Sequence, residues 1–213
     1  MNAELPRAMG RAALGLATFA LITAGSVALT RDLTAERIAD NRQASRHREV
    51  AAVAPAGHDD RLLDHVLSRP AAPMFGFEAP ITLWQARAGE RVLGVVVPVT
   101  ARQGYSGDIA MVVGLDTAGT ITGVRVTDHR ETPGLGDRIE ARKGDWIEQF
   151  TGHSLTSPPA GGWAVGQDGG GIDALTGATI TSRAVVAAVH RTLEWFETQP
   201  GSLLAPPATG ETP

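Results

Sequence analysis

Residues 173–182 read Asp-Ala-Leu-Thr-Gly-Ala-Thr-Ile-Thr-Ser and place four hydroxyl side chains around a Gly-Ala step. Apolar residues recur at helical spacing directly after this stretch, which predicts a helix: Ala184, Val185, Ala188, Val189 and Leu193. A hydroxyl at a helix start can cap the free backbone amides, and a phosphate held there would meet the positive end of the helix dipole. The stretch therefore predicts either an ordinary capped helix or a site of modification.

Composition limits the classes of protein to which the chain can belong. The chain has 213 residues, of which 43% are hydrophobic, enough for one domain and an additional segment. The formal net charge is -4, and no block of basic residues interleaved with aromatic residues occurs, so nucleic acid is not an expected partner. The absence of cysteine excludes disulfides and cysteine-ligated iron–sulfur clusters.

A run of uncharged residues, 12–30, lies between Arg11 and Arg31 and predicts a single transmembrane helix. At the helical rise this run would extend roughly 28 Å, about the thickness of the hydrocarbon core of a bilayer. The alternative is a cleaved signal peptide, because small residues near Ala24 and Ser26 could serve as a processing site. The run exceeds the apolar core of a usual signal peptide, which favours an uncleaved anchor.

Charges on either side of the span predict its orientation. Arg7 and Arg11 precede the span, so residues 1–11 are expected to be cytoplasmic and the main domain to lie on the opposite side of the membrane. Arginines such as Arg31 and Arg37 follow the span and weaken the signal. Both the anchor and the signal peptide would export the main domain.

Residues 31–74 are interpreted as a membrane-proximal helical stalk. Two helices are predicted there, over residues 33–53 and 59–67, and prolines then mark a domain boundary. At the other end, residues 199–213 contain four prolines and are predicted to be a disordered tail.

Residues 75–198 are predicted to form an α+β domain with a mainly antiparallel sheet and a terminal helix. A hairpin at Gly89-Glu90 should join its first two strands, and one or two short helices are expected within residues 136–150. The predicted strands cover residues 81–88, 92–100, 108–115, 121–127 and 163–165.

A second group of interest, residues 128–136, follows the strand at 121–127 and reads Asp-His-Arg-Glu-Thr-Pro-Gly-Leu-Gly. Its proline and two glycines make a tight turn whose backbone could approach a planar ligand closely. Taken alone it predicts only a turn. His129 with His153 or Asp137 lacks the spacing of a metal site, and His129 with Glu131 lacks a substrate pocket for acid–base chemistry, so no metal site or catalytic residue is predicted.

Both groups resemble motifs of the FMN-binding domain family. Residues 173–182 are similar to the pattern Asp-x-x-Ser/Thr-Gly-Ala-Thr-x-Ser/Thr, in which FMN is joined through its phosphate to the threonine after Gly-Ala, here Thr179. Residues 129–136 are similar to the His-x-Glu-Thr-Pro-Gly-Leu-Gly element beside the flavin ring, and Gly104-Tyr105-Ser106-Gly107 is similar to a Gly-Tyr-x-Gly turn. The cofactor-binding residues that the resemblance implies are Asp173, Thr176, Gly177, Ala178, Thr179, Thr181, Glu131, Thr132, Pro133, Gly134, Leu135 and Gly136.

Within this family, the anchor and the three motifs together resemble RnfG, the flavoprotein component of the Rnf ion-translocating electron transport complex. That resemblance implies a component that is not catalytic alone and relays electrons through FMN, in a complex that couples ferredoxin and NAD to ion movement. It also implies a flavin transferase that uses FAD, together with other integral-membrane and redox subunits and membrane lipid, as partners. Asp173, Thr176 and Thr181 are expected to shape the loop and cap the helix.

Three alternatives stay open at this point. The first is NqrC, the corresponding component of the sodium-translocating NADH:quinone reductase, which shares the motifs and the anchor. The second is a membrane-anchored assembly or sensory module without flavin, whose threonine-rich loop only caps a helix. The third is a stand-alone flavin reductase with a small exported substrate.

Overall fold

A computed structural model describes residues 4–205. The chain forms two compact units, with the boundary between Ser45 and Arg46. The first unit consists of helix α1 (Glu4–Val53) up to its residue Ser45. Within α1, Met9–Ala35 is long and apolar enough to cross a membrane and contains the predicted span of residues 12–30. The helix continues without a break through residues 31–53. The helix predicted over residues 33–53 is therefore a continuation of the predicted transmembrane helix.

The second unit is built on a five-stranded antiparallel sheet in which every strand pairs with its neighbours in sequence. Short hairpins make this order the simplest one for consecutive strands. The strands are β1 (Val66–Arg69), β2 (Ile81–Ala88), β3 (Arg91–Gly104), β4 (Gly107–Asp116) and β5 (Ile121–Asp128).

Helix α2 (Thr179–Glu197) covers one face of this sheet and encloses the main core. Alternate residues of β3 point to opposite faces, so Val95 and Val97 enter this core while Val96 faces away from it. The apolar face of α2 includes Val185, Val189 and other residues of the spacing that predicted the helix.

The last turns of α1, from Arg46 onward, cover the opposite face of the sheet. Val50 and Val53 pack there with Leu62, Val96 and other apolar residues. The carbonyl of Val53 accepts a hydrogen bond from Thr122 Oγ1 at 2.5 Å, which satisfies one free acceptor at the helix end.

Most elements of the domain were predictable, with three exceptions. The helix predicted over residues 59–67 is wrong, because residues 62–64 form a 3₁₀ turn and β1 follows as an edge strand. The strand predicted over residues 163–165 is also wrong, since Val165 makes only an isolated bridge with Ile172. The helices expected within residues 136–150 are two 3₁₀ turns, Gly136–Ile139 and Trp146–Phe150.

The predicted disordered tail is wrong for its first residues. Helix α3 (Pro200–Leu204) buries Leu203 completely, and Gln85 Nε2 donates a hydrogen bond to the Leu203 carbonyl at 2.6 Å. Residues 206–213 lie outside the described part of the chain. The domain limits 31–74 and 75–198 stay predictions, although β1 lies within the range assigned to the stalk.

Candidate functional site

A cavity of about 460 Å³ lies at the start of α2, and we call it the Thr179 cavity. Its volume is within the range of about 300–1,000 Å³ that ligand sites occupy. The two sequence motifs, 48 residues apart from Glu131 to Thr179, meet in its walls together with the turn between β3 and β4. The lining residues are Tyr105, Glu131, Thr132, Leu135, Gly136, Gly177, Ala178, Thr179, Ile180 and Thr181.

Glu131 joins the three segments that form the cavity. Its side chain is buried, with Oε1 accepting a hydrogen bond from the Ser106 amide at 3.0 Å and Oε2 accepting one from Thr181 Oγ1 at 2.5 Å. Buried carboxylates need such donors, because an unpaired buried charge is strongly unfavourable. Glu131 therefore ties the loop after β5 to the β3–β4 turn and to the first turn of α2.

Two glycines allow the segments to approach this closely. A Cβ at Gly136 would lie 2.9 Å from Glu131 Oε2, and one at Gly177 would lie 3.2 Å from Leu135 Cδ2. Gly177 also has a φ of +80°, a left-handed conformation that favours glycine. Gly177 and Leu135 thus bring the two motifs into direct contact, and both glycine positions leave little room for a side chain.

A network of charged side chains supports the loop of residues 131–136 from behind. Asp137 Oδ1 accepts the Gly134 amide hydrogen at 2.8 Å, and Lys143 donates hydrogen bonds to Asp137 and Glu140. His129 Nδ1 accepts the amide hydrogen of Glu131, so its ring proton lies on Nε2, which contacts Glu140 Oε1 at 2.9 Å.

Ion pairing in this network shifts the pKa values of its acids. Burial alone would raise the pKa of Glu140, but hydrogen bonds from Arg142, Lys143 and His129 outweigh it and lower the pKa to about 2. The hydrogen bond from Lys143 lowers the pKa of Asp137. Both carboxylates are therefore ionised at neutral pH, and the loop is held by charges.

The start of α2 lacks the predicted side-chain cap. The N-cap residue is Ala178, and no side chain of the described residues forms a capping hydrogen bond there. Ser182 instead links the preceding turn to the helix, because its Oγ accepts the Leu175 amide hydrogen at 3.0 Å and donates to the Ala178 carbonyl at 3.1 Å. The expectation that Asp173, Thr176 and Thr181 cap the helix is wrong, since Thr181 bonds to Glu131.

Thr179 is the first residue of α2 and is half-buried in the cavity wall. Its hydroxyl donates a hydrogen bond to Gln167 Oε1 at 3.2 Å. With no side-chain cap, backbone amides of the first helical turn are available for an anion beside this hydroxyl. The position combines a reachable hydroxyl with a positive electrostatic environment.

Asp173 and Thr176 line a separate cleft of about 320 Å³, which we call the Trp146 cleft. Trp146 Nε1 donates to the Asp173 carbonyl at 2.6 Å, and the Asp173 amide donates to Gln149 Oε1 at 2.9 Å. The left-handed turn at Gly177 separates this cleft from the Thr179 cavity. The sequence motif therefore divides between two clefts.

Of the twelve residues predicted to bind the cofactor, eight line the Thr179 cavity. Pro133 and Gly134 do not line it and form the exposed part of the turn, and Asp173 and Thr176 belong to the Trp146 cleft. Gln167 was missed, because it belongs to none of the sequence motifs. Ile180 was missed as a lining residue, although its place between Thr179 and Thr181 could have indicated it.

Chemically, the cavity suits a planar, largely apolar ligand bound at one end through an anion. Tyr105, Leu135 and Ile180 are exposed apolar side chains that line it. Glu131 is the one ionisable acid in the lining, and both of its oxygens are already hydrogen bonded. FMN has such a ring and such an anion, so the residues present fit this cofactor.

Two protein-family models match the chain. Residues 104–194 match the FMN-binding domain, and residues 1–53 match the RnfG N-terminal region. The first match contains every residue that lines the Thr179 cavity.

Similar proteins extend these matches over the whole chain. The G subunit of the ion-translocating oxidoreductase complex of Pseudomonas aeruginosa (strain UCBPP-PA14) is 43% identical over 207 residues, which cover 97% of each chain. The protein of the same name from Pseudoalteromonas atlantica is 45% identical over 185 residues, 85% of each chain. A crystal structure of Shewanella oneidensis NqrC aligns over 73% of each chain with 24% identity and a TM-score of 0.48.

Proposed function

The chain belongs to the RnfG family, the G subunits of ion-translocating oxidoreductase complexes, and from this premise we propose that it relays electrons through FMN joined covalently to Thr179. The observation that carries the proposal is the cavity in which Thr179 meets the loop of residues 131–136. FMN supplies one- and two-electron redox chemistry when it is bound. The chain binds and orients the flavin and needs no catalytic residue of its own.

The side chains around the cavity would bind the flavin ring by apolar contact. Tyr105, Leu135 and Ile180 offer apolar surface on different segments. Since the phosphate linkage leaves the ring unmodified, the ring's redox properties would depend on burial and on nearby dipoles. The backbone of residues 132–136, held by Asp137, supplies those dipoles.

Thr179 suits the attachment because of its place on α2. The helix dipole and the uncapped amides would stabilise the negative charge of a phosphodiester. Thr181 and Ser182 are fully buried, with their hydroxyls bonded to Glu131 and to two backbone groups, whereas Thr179 is only half-buried. Thr179 is therefore the available hydroxyl of the first helical turn.

We propose that a separate flavin transferase performs the attachment with FAD as the donor. Thr179 Oγ1 would form a bond to the phosphorus next to riboflavin, the anhydride bond of FAD would break, and AMP and the hydroxyl proton would leave. Gln167, the side-chain partner of this hydroxyl in the described part of the chain, is an amide and cannot take up the proton. The base must therefore come from the transferase.

The partners of the attached flavin would be other integral-membrane and redox subunits of the complex, which couple electron flow between ferredoxin and NAD to ion movement. The apolar side chains at the cavity are partly open to solvent, with Tyr105 67% exposed. Such exposure allows a partner to approach the ring. The chain alone would have no soluble substrate.

We place the domain on the periplasmic side of a bacterial inner membrane, since Arg7 and Arg11 precede the span. The chain contains no cysteine, so single cysteines can report its topology. Thr117→Cys in the exposed β4–β5 turn should react with a membrane-impermeant maleimide in intact spheroplasts, whereas Asn2→Cys should react only after lysis. The reverse pattern would contradict this orientation.

Denaturing electrophoresis of the protein from its native membrane tests the cofactor proposal. A fluorescent band at about the size of this chain under ultraviolet light is expected, because a phosphoester survives denaturation. A colourless band from fully matured material would contradict covalent flavin and favour an assembly or sensory module. The same chain produced in a host that has the transferase serves as the comparison sample.

A further inference from the structure

The turn Gly166–Asp168 contacts the start of α2 at two places. Gln167 Oε1 accepts the hydrogen bond from Thr179 Oγ1 at 3.2 Å. Next to it, Asp168 forms a bidentate pair with Arg183, through Nε and Nη2 at 2.6 Å each. Thr179 and Arg183 are four residues apart on α2 and therefore lie on the same side of the helix.

This turn is held firmly, although the glycine run after it suggests a flexible connector. The Gly166 amide donates to the Ile172 carbonyl at 2.8 Å, and Val165 forms a bridge with buried Ile172. Gly169 ends the turn with a φ of +85°. Gln167 and Asp168 are thus placed by the fold beside the Thr179 hydroxyl.

After attachment of a phosphate to Thr179, Gln167 would have to donate a hydrogen bond instead of accepting one. The ester oxygen has no proton, so it cannot donate to Gln167 Oε1, and the phosphate oxygens are negatively charged acceptors. A carboxamide has an acceptor on one edge and two donors on the other. Rotation of the Gln167 amide would therefore exchange the acceptor for Nε2 and give the phosphate a donor.

The guanidinium of Arg183 has further hydrogen-bond donors beside the same turn. Asp168 uses Nε and Nη2 of the guanidinium, which leaves Nη1 free of that pair. Because Asp168 directly follows Gln167, its pair with Arg183 brings the guanidinium to the turn that contacts Thr179. The positive charge of Arg183 also offsets the negative charge of Asp168, which would otherwise repel a phosphate.

We propose that Gln167 and Arg183 form the phosphate-binding site of the flavin attached to Thr179, with Asp168 orienting Arg183. The inference rests on the proposed covalent FMN and adds the residues that recognise its phosphodiester. Charge-assisted hydrogen bonds of this kind are the stronger class in proteins.

The test uses the full chain produced together with the flavin transferase, in wild-type form and with single substitutions. Gln167→Glu keeps an acceptor for the unmodified Thr179 hydroxyl but places a negative charge beside the phosphate. Gln167→Ala removes the donor without adding charge, and Arg183→Gln removes the cation. Arg191→Gln is the matched control, because Arg191 lies two turns further along the same face of α2.

Two measurements are made on each variant: covalent flavin per chain after a fixed time, and the ³¹P resonance of the loaded protein. Gln167→Glu should lower flavin attachment roughly tenfold through charge repulsion, with unchanged thermal unfolding of the unmodified chain. The ³¹P resonance should shift in loaded Gln167→Ala and Arg183→Gln and stay at the wild-type position in Arg191→Gln.

Each outcome decides between the proposals. A wild-type ³¹P signal in both loaded variants would overturn the phosphate site, whatever the attachment rates, while leaving covalent FMN intact. A shift in only one variant would overturn the paired site and assign the phosphate to that residue. Wild-type protein without covalent flavin would overturn the proposed function itself, and this inference with it.

Discussion

The Thr179 cavity and the Trp146 cleft share one ten-residue motif but differ in what holds them together. The walls of the cavity are held by hydrogen bonds to buried Glu131 at the front and by the ionised groups of Asp137, Glu140 and Lys143 behind. The cleft is held by neutral hydrogen bonds from Trp146 and to Gln149. Residues adjacent in a motif can therefore have separate structural roles when a turn such as Gly177 divides them.

The largest difference between the two clefts should follow from removing one hydroxyl on each side. Thr179→Ala should abolish covalent flavin, because the oxygen that forms the phosphoester is lost. Thr176→Ala should keep it and change the free energy of unfolding by less than about 0.5 kcal/mol, since Thr176 is exposed. In-gel flavin fluorescence checks both, and a fluorescent Thr179→Ala chain would refute the assignment.

Removing the buried carboxylate of the cavity should be the most destabilising change. Glu131→Ala would leave the Ser106 amide and the Thr181 hydroxyl without their shared acceptor, at a cost of about 3 kcal/mol. Glu131→Gln keeps one acceptor oxygen and should cost about 1 kcal/mol. Denaturant unfolding of the full chain in detergent measures both costs. Equal free energies of unfolding for the two variants would contradict the role of the carboxylate.

Acid should weaken the cavity before the cleft. The pKa of Glu140 is lowered from 4.5 to about 2, so between these pH values the unfolded chain takes up a proton that the folded chain does not. The stability contributed by ionised Glu140 is therefore fully present above pH 4.5 and is lost as the pH falls toward 2. Solvent screens this network, because Arg142 and Lys143 are partly exposed, so the loss should be on the order of 2 kcal/mol.

Glu140→Gln should lower the stability at neutral pH and remove much of this acid dependence. Unfolding free energies between about pH 2 and 6 test the prediction, over the window in which the folded and unfolded carboxyl differ in protonation. An unchanged acid profile in Glu140→Gln would show that the network does not hold the loop.

A last comparison concerns the glycine between the two clefts. Gly177→Ala should cost about 1–2 kcal/mol, because φ is +80° and the new Cβ would press on Leu135. Gly169→Ala has a similar φ of +85° with open space around it, so it should show the conformational cost alone, about 1 kcal/mol. Thermal unfolding compares the two, and equal costs would exclude a contribution from Leu135.

Sequence reasoning succeeded where a local pattern determined the structure. Alternating apolar residues gave β2 with its observed ends, and helical spacing gave α2. It failed for β1, because four residues at a sheet edge show no pattern of their own and depend on pairing with β2. The missed helix α3 depends likewise on long-range contacts, from Gln85 and Arg69.

The candidate site shows the same division. The contact between residues 131–136 and 177–181 could be inferred, because both motifs implied one ligand. The roles of Gln167 and Ser182 could not, since they depend on where a turn and a side chain lie after folding. Asp173 and Thr176 were assigned to the ligand because they match the family pattern, and the backbone turn at Gly177 places them in the neighbouring Trp146 cleft.

The attachment of FMN to Thr179 can be mapped on the mature full chain. Trypsin should release residues 144–183 as one peptide, because Lys143 and Arg183 bound a stretch without other lysine or arginine. Fragmentation of this peptide should locate one FMN phosphodiester on Thr179, with Thr176, Thr181 and Ser182 unmodified. FMN on one of those three hydroxyls, or a mature peptide without FMN, would contradict the account.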